Sequence, residues 1–274
     1  MKDNTKIPSA KELLAKREEL VILSTVYFRL LPTTETSQGL KPILSADLLS
    51  KEMIRANNLR YYDTSLMILL AASYNRTLQN PLDYTCAALQ TALTPLTDAA
   101  EKQLLSTWIA QSKPANVEIL NILKVDRAGE SEAFLEEKGN KKLLFHGSKL
   151  SNMLGILKNG LQVAPIEAQA TGYMFGKGIY FADVFAKSWG YVHDWTVPLG
   201  TSGDVKAYGY MFVCEVALGD SLELENSDWT LEAGNLRDGC SSTKGLGMRE
   251  PHPDREMILP DNVTLPMGPY ARVH

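Results

Sequence analysis

Apolar residues recur at helical spacing through most of residues 1–80, and this part of the chain is predicted to be α-helical. The segment SAKELLAKREELVILSTVYFRLL begins with Ser9 and Glu12, which have the spacing of a capping box. The segment SADLLSKEMIRANNLRYYDTSLMILLAASYN follows, with apolar residues on one face and Ser45 as its candidate N-cap.

The pattern changes at LQNPLDYT, residues 78–85, where we place a domain boundary. Short β-like runs follow, interrupted by two helices. One helix begins near Asp98, and the other ends at Gly160. The predicted β runs are LDYTCAALQTALTPL, VEILNILKV, KKLLFHG, GIYFAD and YGYMFVCEVAL. The prediction is an α+β protein, with a helical domain at 1–80 and an antiparallel β-sheet domain at 81–274.

Composition and charge limit the classes of protein to which the chain could belong. The net charge of −4 argues against a chain that binds nucleic acid over its whole surface, and no DNA-binding module is evident. Cys86, Cys214 and Cys240 lack the spacing of a zinc site, and three scattered cysteines fit a reducing compartment. No run of about 18 apolar residues occurs, so we expect no membrane span and a nuclear or cytoplasmic location.

The stretch TGYMFGKGIYFAD, residues 171–183, contains three glycines in an order that matches neither common phosphate-binding loop. Gly172 and Gly176 are too close for a P-loop, and Gly178 follows Lys177 where that loop has Ser or Thr. Two interpretations remain. The glycines either turn the chain into a buried strand or allow the backbone to lie close to a ligand.

The segment LLFHGS predicts a strand that ends in a small polar turn. Gly147 offers a backbone donor and acceptor with no side chain in the way, and Ser148 adds a hydroxyl. This combination suits a planar carboxamide. His146 is either part of such a site or a hydrogen-bonded structural histidine.

The segment FADVFAKSWGYVHDW is predicted to be helical, which would place Lys187 and Tyr191 on one face. Tyr191 would then be able to stack on an aromatic ligand. The alternative is that Phe185, Trp189 and Tyr191 all pack into the core.

Residues 143–192, which contain these three segments in order, closely resemble the catalytic domain of the poly(ADP-ribose) polymerases. Weaker similarity extends over about residues 80–268. The helical front, with ELVILSTVYFRLLPT and KEMIRANNLRYYDTSLMILL, resembles part of the regulatory helical domain of the DNA-dependent members. The resemblance implies an ADP-ribosyltransferase-type fold.

The resemblance also implies roles for the residues around the nicotinamide end of NAD. His146 matches the histidine that contacts the ribose hydroxyls, and Gly147 matches the glycine whose backbone binds the carboxamide. Ser148 and Ser188 match hydroxyl residues near that amide, and Tyr191 matches the tyrosine stacked on the ring.

Further site residues are implied in the same way. Tyr180 matches the second tyrosine of the pocket, which belongs with His146 to the family's catalytic set. Asn152 lies near the adenosine ribose position, and Lys187 matches a lysine close to the active site. Residues 161–178, including Gly178, match the loop that folds over NAD.

By this resemblance, the protein transfers ADP-ribose from NAD, its co-substrate, to acceptor proteins that include itself, and extends poly(ADP-ribose). No metal is implied. A nuclear role in DNA repair follows from the same likeness. A DNA-damage signal would act only indirectly, by displacing the helical front.

Two departures from the family pattern affect these expectations. The family's catalytic glutamate lies on a late strand, and no glutamate follows Glu256 in this sequence. We expect that strand to be missing because the gene end is truncated or misread, and Glu256 is not assigned its role. The alternative function is therefore a catalytically impaired NAD- or ADP-ribose-binding pseudoenzyme. Gln162 replaces an arginine near the adenine, which predicts modestly weaker NAD binding.

Overall fold

The structure is a computed structural model that describes residues 11, 15–30, 41–74, 80–163, 174–192, 195–199, 204–232, 235–237, 239–247, 249–268 and 270–272. Its helices are α1 (Arg17–Leu30), α2 (Ala46–Tyr74), α3 (Pro81–Leu89), α4 (Ala99–Ala110), α5 (Glu130–Ala133), α6 (Leu150–Asn159) and α7 (Phe185–Trp189). Short 3-10 turns occupy Glu136–Lys138, Pro253–Arg255 and Pro260–Asn262. The strands are β1 (Thr91–Pro95), β2 (Leu123–Arg127), β3 (Lys141–Gly147), β4 (Trp195–Leu199), β5 (Asp204–Tyr208), β6 (Met211–Ala217), β7 (Asp220–Leu224), β8 (Cys240–Gly245), β9 (Arg249–Pro251), β10 (Met257–Leu259), β11 (Val263–Leu265) and β12 (Tyr270–Arg272).

The N-terminal part is helical, as its periodicity predicts. The Ser45 hydroxyl accepts the Leu48 N–H at 3.2 Å and caps α2, whereas Ser9 and Glu12 lie outside the described residues. The Tyr27 hydroxyl of α1 lies 3.0 Å from the Glu52 carboxylate of α2. Further along, α2 packs against α3 and α6, so it contacts the region that follows the predicted domain boundary.

The strand predicted to begin near residue 82 is wrong in its first half, because residues 81–89 form α3. The Asn80 side chain accepts the Leu82 N–H at 3.0 Å, and Pro81 occupies the first turn, where its missing N–H costs nothing. Gln90 ends this helix with a left-handed backbone, φ 55°. The strand β1 starts only at Thr91. Similarly, only the end of VEILNILKV is a strand, since β2 begins at Leu123.

The largest sheet has the strand order β10-β11-β3-β6. The pairs β10–β11 and β3–β6 are antiparallel, but β11 runs parallel to β3. The remaining strands form four two-stranded sheets, of which β7–β8 is parallel and the other three are antiparallel. The predicted α+β class is confirmed, with a mixed sheet in place of a purely antiparallel one.

The run GIYFAD is not a strand, contrary to the prediction. It makes a single bridge to β3, in which the Phe145 N–H donates to the Ala182 carbonyl at 2.7 Å and Ala182 returns the bond at 3.0 Å. Tyr180 is exposed whereas Ala182, two residues further on, is buried, so burial does not alternate as it would along a half-buried strand. We call this segment the extended crossing, because it is extended and the backbone of Phe145 holds it to β3.

An aromatic cluster fixes the end of β3. Phe145 is fully buried, and its ring stacks on Trp108 of α4 with centroids 4.1 Å apart. Phe185 of α7 meets Phe145 edge to face at 5.5 Å. The Trp108 indole N–H donates to the Pro266 carbonyl at 2.9 Å, so burial of this ring leaves its polar atom satisfied. The cluster holds α4 and α7 against the strand that carries His146.

Within the described part of the chain, no helix has both the length and the apolar character needed to cross a bilayer.

Candidate active site at the end of β3

His146 lies at the end of β3, beside the extended crossing. Its Nδ1 is 2.8 Å from the Tyr180 carbonyl oxygen. Because a carbonyl can only accept, Nδ1 carries the proton and Nε2 keeps a free lone pair. Burial lowers the pKa of His146, which favours this neutral form. The ring is therefore a structurally bonded histidine that can also accept a ligand hydroxyl, so the two interpretations of His146 are compatible.

Gly147 packs directly against the turn that follows α7. A Cβ at this position would overlap the Ser188 carbonyl oxygen and would lie 3.3 Å from the Val192 side chain. The same carbonyl accepts the Tyr191 N–H at 3.0 Å. The fold thus brings Gly147, Ser188 and Tyr191 together, and only glycine fits this contact.

Both serines predicted at the site make internal hydrogen bonds. The buried Ser188 hydroxyl donates to the Phe145 carbonyl at 2.9 Å, which leaves its oxygen available as an acceptor. The Ser148 hydroxyl accepts from the Asn152 side-chain amide at 3.1 Å. This bond holds the Asn152 side chain, in the first turn of α6, next to Ser148.

Tyr191 is not on the helix as predicted, because α7 ends at Trp189 and Gly190 forms its C-cap. Phe185 is buried and stacks on the half-buried Trp189, with ring centroids 5.7 Å apart, but the Tyr191 side chain is 63% exposed. The core-packing alternative therefore holds for the first two rings only. The Tyr191 side chain is thus exposed, and its backbone N–H bonds to the Ser188 carbonyl that packs on Gly147.

The Tyr180 hydroxyl makes two hydrogen bonds to the backbone of residues 175 and 176. The hydroxyl donates to the Gly176 carbonyl at 2.6 Å and accepts the Phe175 N–H at 3.0 Å. Burial raises the pKa of Tyr180, and the nearby Tyr191 phenol raises it further, so the group stays protonated at neutral pH.

The other predicted residues that the structure describes lie at open or exposed positions. Gly178 has open space where a Cβ would stand, with no atom within 4 Å, and Lys187 is exposed. Residues 164–173 of the predicted covering loop lie outside the described residues. Gln162 is exposed.

The sequence reasoning missed Asp183, a half-buried carboxyl three residues beyond Tyr180. Burial raises its pKa and Glu250 raises it further, while Lys187 and Lys244 act in the opposite direction. No local sequence signature marks this half-buried acid, since Lys244 and Glu250 come from β8 and β9, which are distant in the sequence. Glu256 lies elsewhere, bound to Lys142 at 2.7 Å near the start of β3, whereas His146 ends that strand.

Among the described residues, no group of three or more His, Cys, Asp or Glu side chains is placed to hold a metal ion.

Comparison with known proteins identifies the family. The family described as poly(ADP-ribose) polymerase catalytic domain matches residues 99–274. A poly(ADP-ribose) polymerase 2-A of Oryza sativa subsp. japonica is 40% identical over 197 residues, covering 69% of this chain and 28% of its own length. Poly(ADP-ribose) polymerase 2 of Homo sapiens is 37% identical over 215 residues, covering 76% and 35%. The chain thus spans about a third or less of these two relatives. It belongs to the poly(ADP-ribose) polymerase catalytic-domain family.

Proposed function

We propose that this chain binds NAD and transfers its ADP-ribose to protein side chains, releasing nicotinamide. The observation that supports this best is the contact of Gly147 with the Ser188–Tyr191 turn, beside neutral His146. It brings the side-chain-free backbone of Gly147 against the turn that leads to Tyr191, whose side chain is exposed, and this arrangement suits a flat carboxamide. Membership of the family supports the same reaction class.

The reaction breaks the bond between the nicotinamide nitrogen and the ribose carbon, and the bonding electron pair leaves with nicotinamide. The ribose carbon becomes oxocarbenium-like, as in glycoside cleavage, and an acceptor oxygen then forms the new bond and loses its proton. Because nicotinamide is a neutral leaving group, the site must orient it more than protonate it. The Gly147 backbone and the Tyr191 ring serve this orientation, and Nε2 of His146 accepts a ribose hydroxyl.

A second candidate is an NAD- or ADP-ribose-binding protein without turnover. It is favoured by one observation: Glu256 is paired with Lys142 at 2.7 Å near the start of β3, at the other end of that strand from His146, and so does not stabilise the positive ribose there. The two candidates share the binding site and differ only in the chemical step.

The test separates binding from turnover in the same preparation. Calorimetry measures NAD and nicotinamide binding, and mass spectrometry measures ADP-ribose added after incubation with NAD. His146→Ala and Tyr191→Ala should abolish both, whereas Tyr74→Ala, at a position 79% exposed on α2, should abolish neither. Binding without added mass would select the second candidate. Added mass that persists in both site variants would refute this site.

We also propose a role for the N-terminal helices. Residues 1–80 act as a regulatory helical unit, because α2 packs on α6, the helix that carries Asn152. Displacement of α2 would reach the site through that helix. Extension to poly(ADP-ribose), self-modification, a nuclear location and an indirect response to DNA damage are proposed on family membership alone.

A further inference from the structure

The 174–178 segment is fixed at three separate points. On one side are the two bonds with the Tyr180 hydroxyl, from the Phe175 N–H and to the Gly176 carbonyl. On the other side the Lys177 N–H donates to the Leu231 carbonyl at 2.8 Å. The segment therefore bridges Tyr180 and the connection between β7 and β8.

Steric contacts leave this segment little freedom. Gly176 has φ +74°, which favours glycine, and a Cβ there would overlap the Leu231 carbonyl. The Phe175 ring lies against Gly245 at the end of β8, where a side chain would overlap it. Leu231 is itself buried. Gly176 and Gly245 thus serve close packing between protein segments.

The Tyr180 hydroxyl bonds to both of these backbone groups. Its one proton is donated to the Gly176 carbonyl, and its oxygen accepts the Phe175 N–H. Burial raises the pKa of Tyr180, so the hydroxyl keeps the proton that it donates at neutral pH.

We propose that Tyr180 is a positioning residue whose hydroxyl, together with the Leu231 carbonyl, sets the position of the 174–178 wall against which nicotinamide lies. The inference rests on the proposed function, since it assigns this wall to the nicotinamide end of the site. The connection between β7 and β8, which the sequence did not predict to be part of the site, contributes to ligand affinity through the backbone of Leu231.

The first test is Tyr180→Phe, which removes the hydroxyl and keeps the ring. Loss of these bonds should weaken nicotinamide binding by about threefold to tenfold. Hydrogen exchange at the Phe175 and Lys177 amides should accelerate in the absence of ligand. Tyr74→Phe, an exposed tyrosine on α2, is the matched control and should change neither quantity.

The second variant, Gly176→Ala, displaces the same segment from the Leu231 side without altering Tyr180. It should weaken nicotinamide binding and accelerate the same amides. Gly129→Ala also places alanine at a positive φ, +79°, has no atom within 4 Å of the new methyl, and should leave binding unchanged. This control separates general destabilisation from movement of the wall.

The outcomes distinguish the two proposals. Wild-type protein that binds no nicotinamide would overturn the proposed function and this inference with it. Wild-type binding that Tyr180→Phe leaves unaltered would overturn the inference alone. Weakened binding with unchanged exchange at residues 175–177 would also overturn it, because the hydroxyl would then act on the ligand directly.

Discussion

Gly147→Ala tests the central contact of the proposed site. The added methyl would overlap the Ser188 carbonyl oxygen and approach its carbonyl carbon to 2.8 Å. Both atoms are backbone, so a side-chain rotation cannot relieve the overlap. The 188–191 turn must move away from β3, and Tyr191 must move with it.

The magnitude follows from the cost of overpacking a well-packed position, about 1–3 kcal/mol in the free energy of unfolding. For a domain of this size, each kcal/mol lowers Tm by roughly 2–4 °C. We therefore expect Tm to fall by about 2–12 °C. Nicotinamide binding should fall further than stability alone explains, because the carboxamide site and the aromatic face separate.

Thermal unfolding and calorimetric binding of nicotinamide are measured on the same samples. Gly129→Ala is the control: its φ of +79° makes alanine unfavourable, but no atom lies within 4 Å of the new methyl. It should lower Tm and leave binding intact. A Gly147→Ala protein with wild-type affinity and Tm would refute the packing argument and the placement of the carboxamide.

Three further predictions concern stability and reactivity. Trp108→Phe keeps an aromatic ring but leaves the Pro266 carbonyl without its donor, and should lower the free energy of unfolding by about 1–3 kcal/mol in denaturant titration. The pKa of His146 is lowered in the folded state, so as the pH falls the unfolded chain takes up this proton before the folded protein does. The stability of the fold should therefore decrease as the pH falls below about 6.5. A His146→Gln variant should show a smaller decrease in stability between about pH 7 and 5. Burial raises the pKa of Cys214 to about 12, so a thiol reagent at about pH 8 should label exposed Cys86 and spare Cys214 in peptide mapping; equal labelling in the folded protein would contradict this burial.

Local signals in the sequence determined the helices that have their own capping residues. Ser45 caps α2, and the Asp98 carboxylate accepts the Glu101 N–H at 2.7 Å at the start of α4. Gly160, with φ +77°, ends α6. These elements were predictable because a cap is a contact between residues only a few positions apart. The family was predictable because fifty residues keep the order of the site segments.

The local signals failed where distant contacts decide the conformation. GIYFAD has the composition of a strand, but only Ala182 pairs with β3, and Tyr180 is bonded back to Gly176. The parallel pairing of β11 with β3 joins residues more than a hundred positions apart. Alternation along one segment carries no information about either pairing.

The sequence by itself determined which residue types are available to the site: His146, Gly147, Ser188, Tyr180 and Tyr191. Only the tertiary structure decided their chemical states. The Tyr180 carbonyl selects the His146 tautomer, and the Ser188 carbonyl excludes a side chain at Gly147. These are contacts of backbone atoms, which every residue possesses, so no pattern of side chains encodes them before the chain is folded.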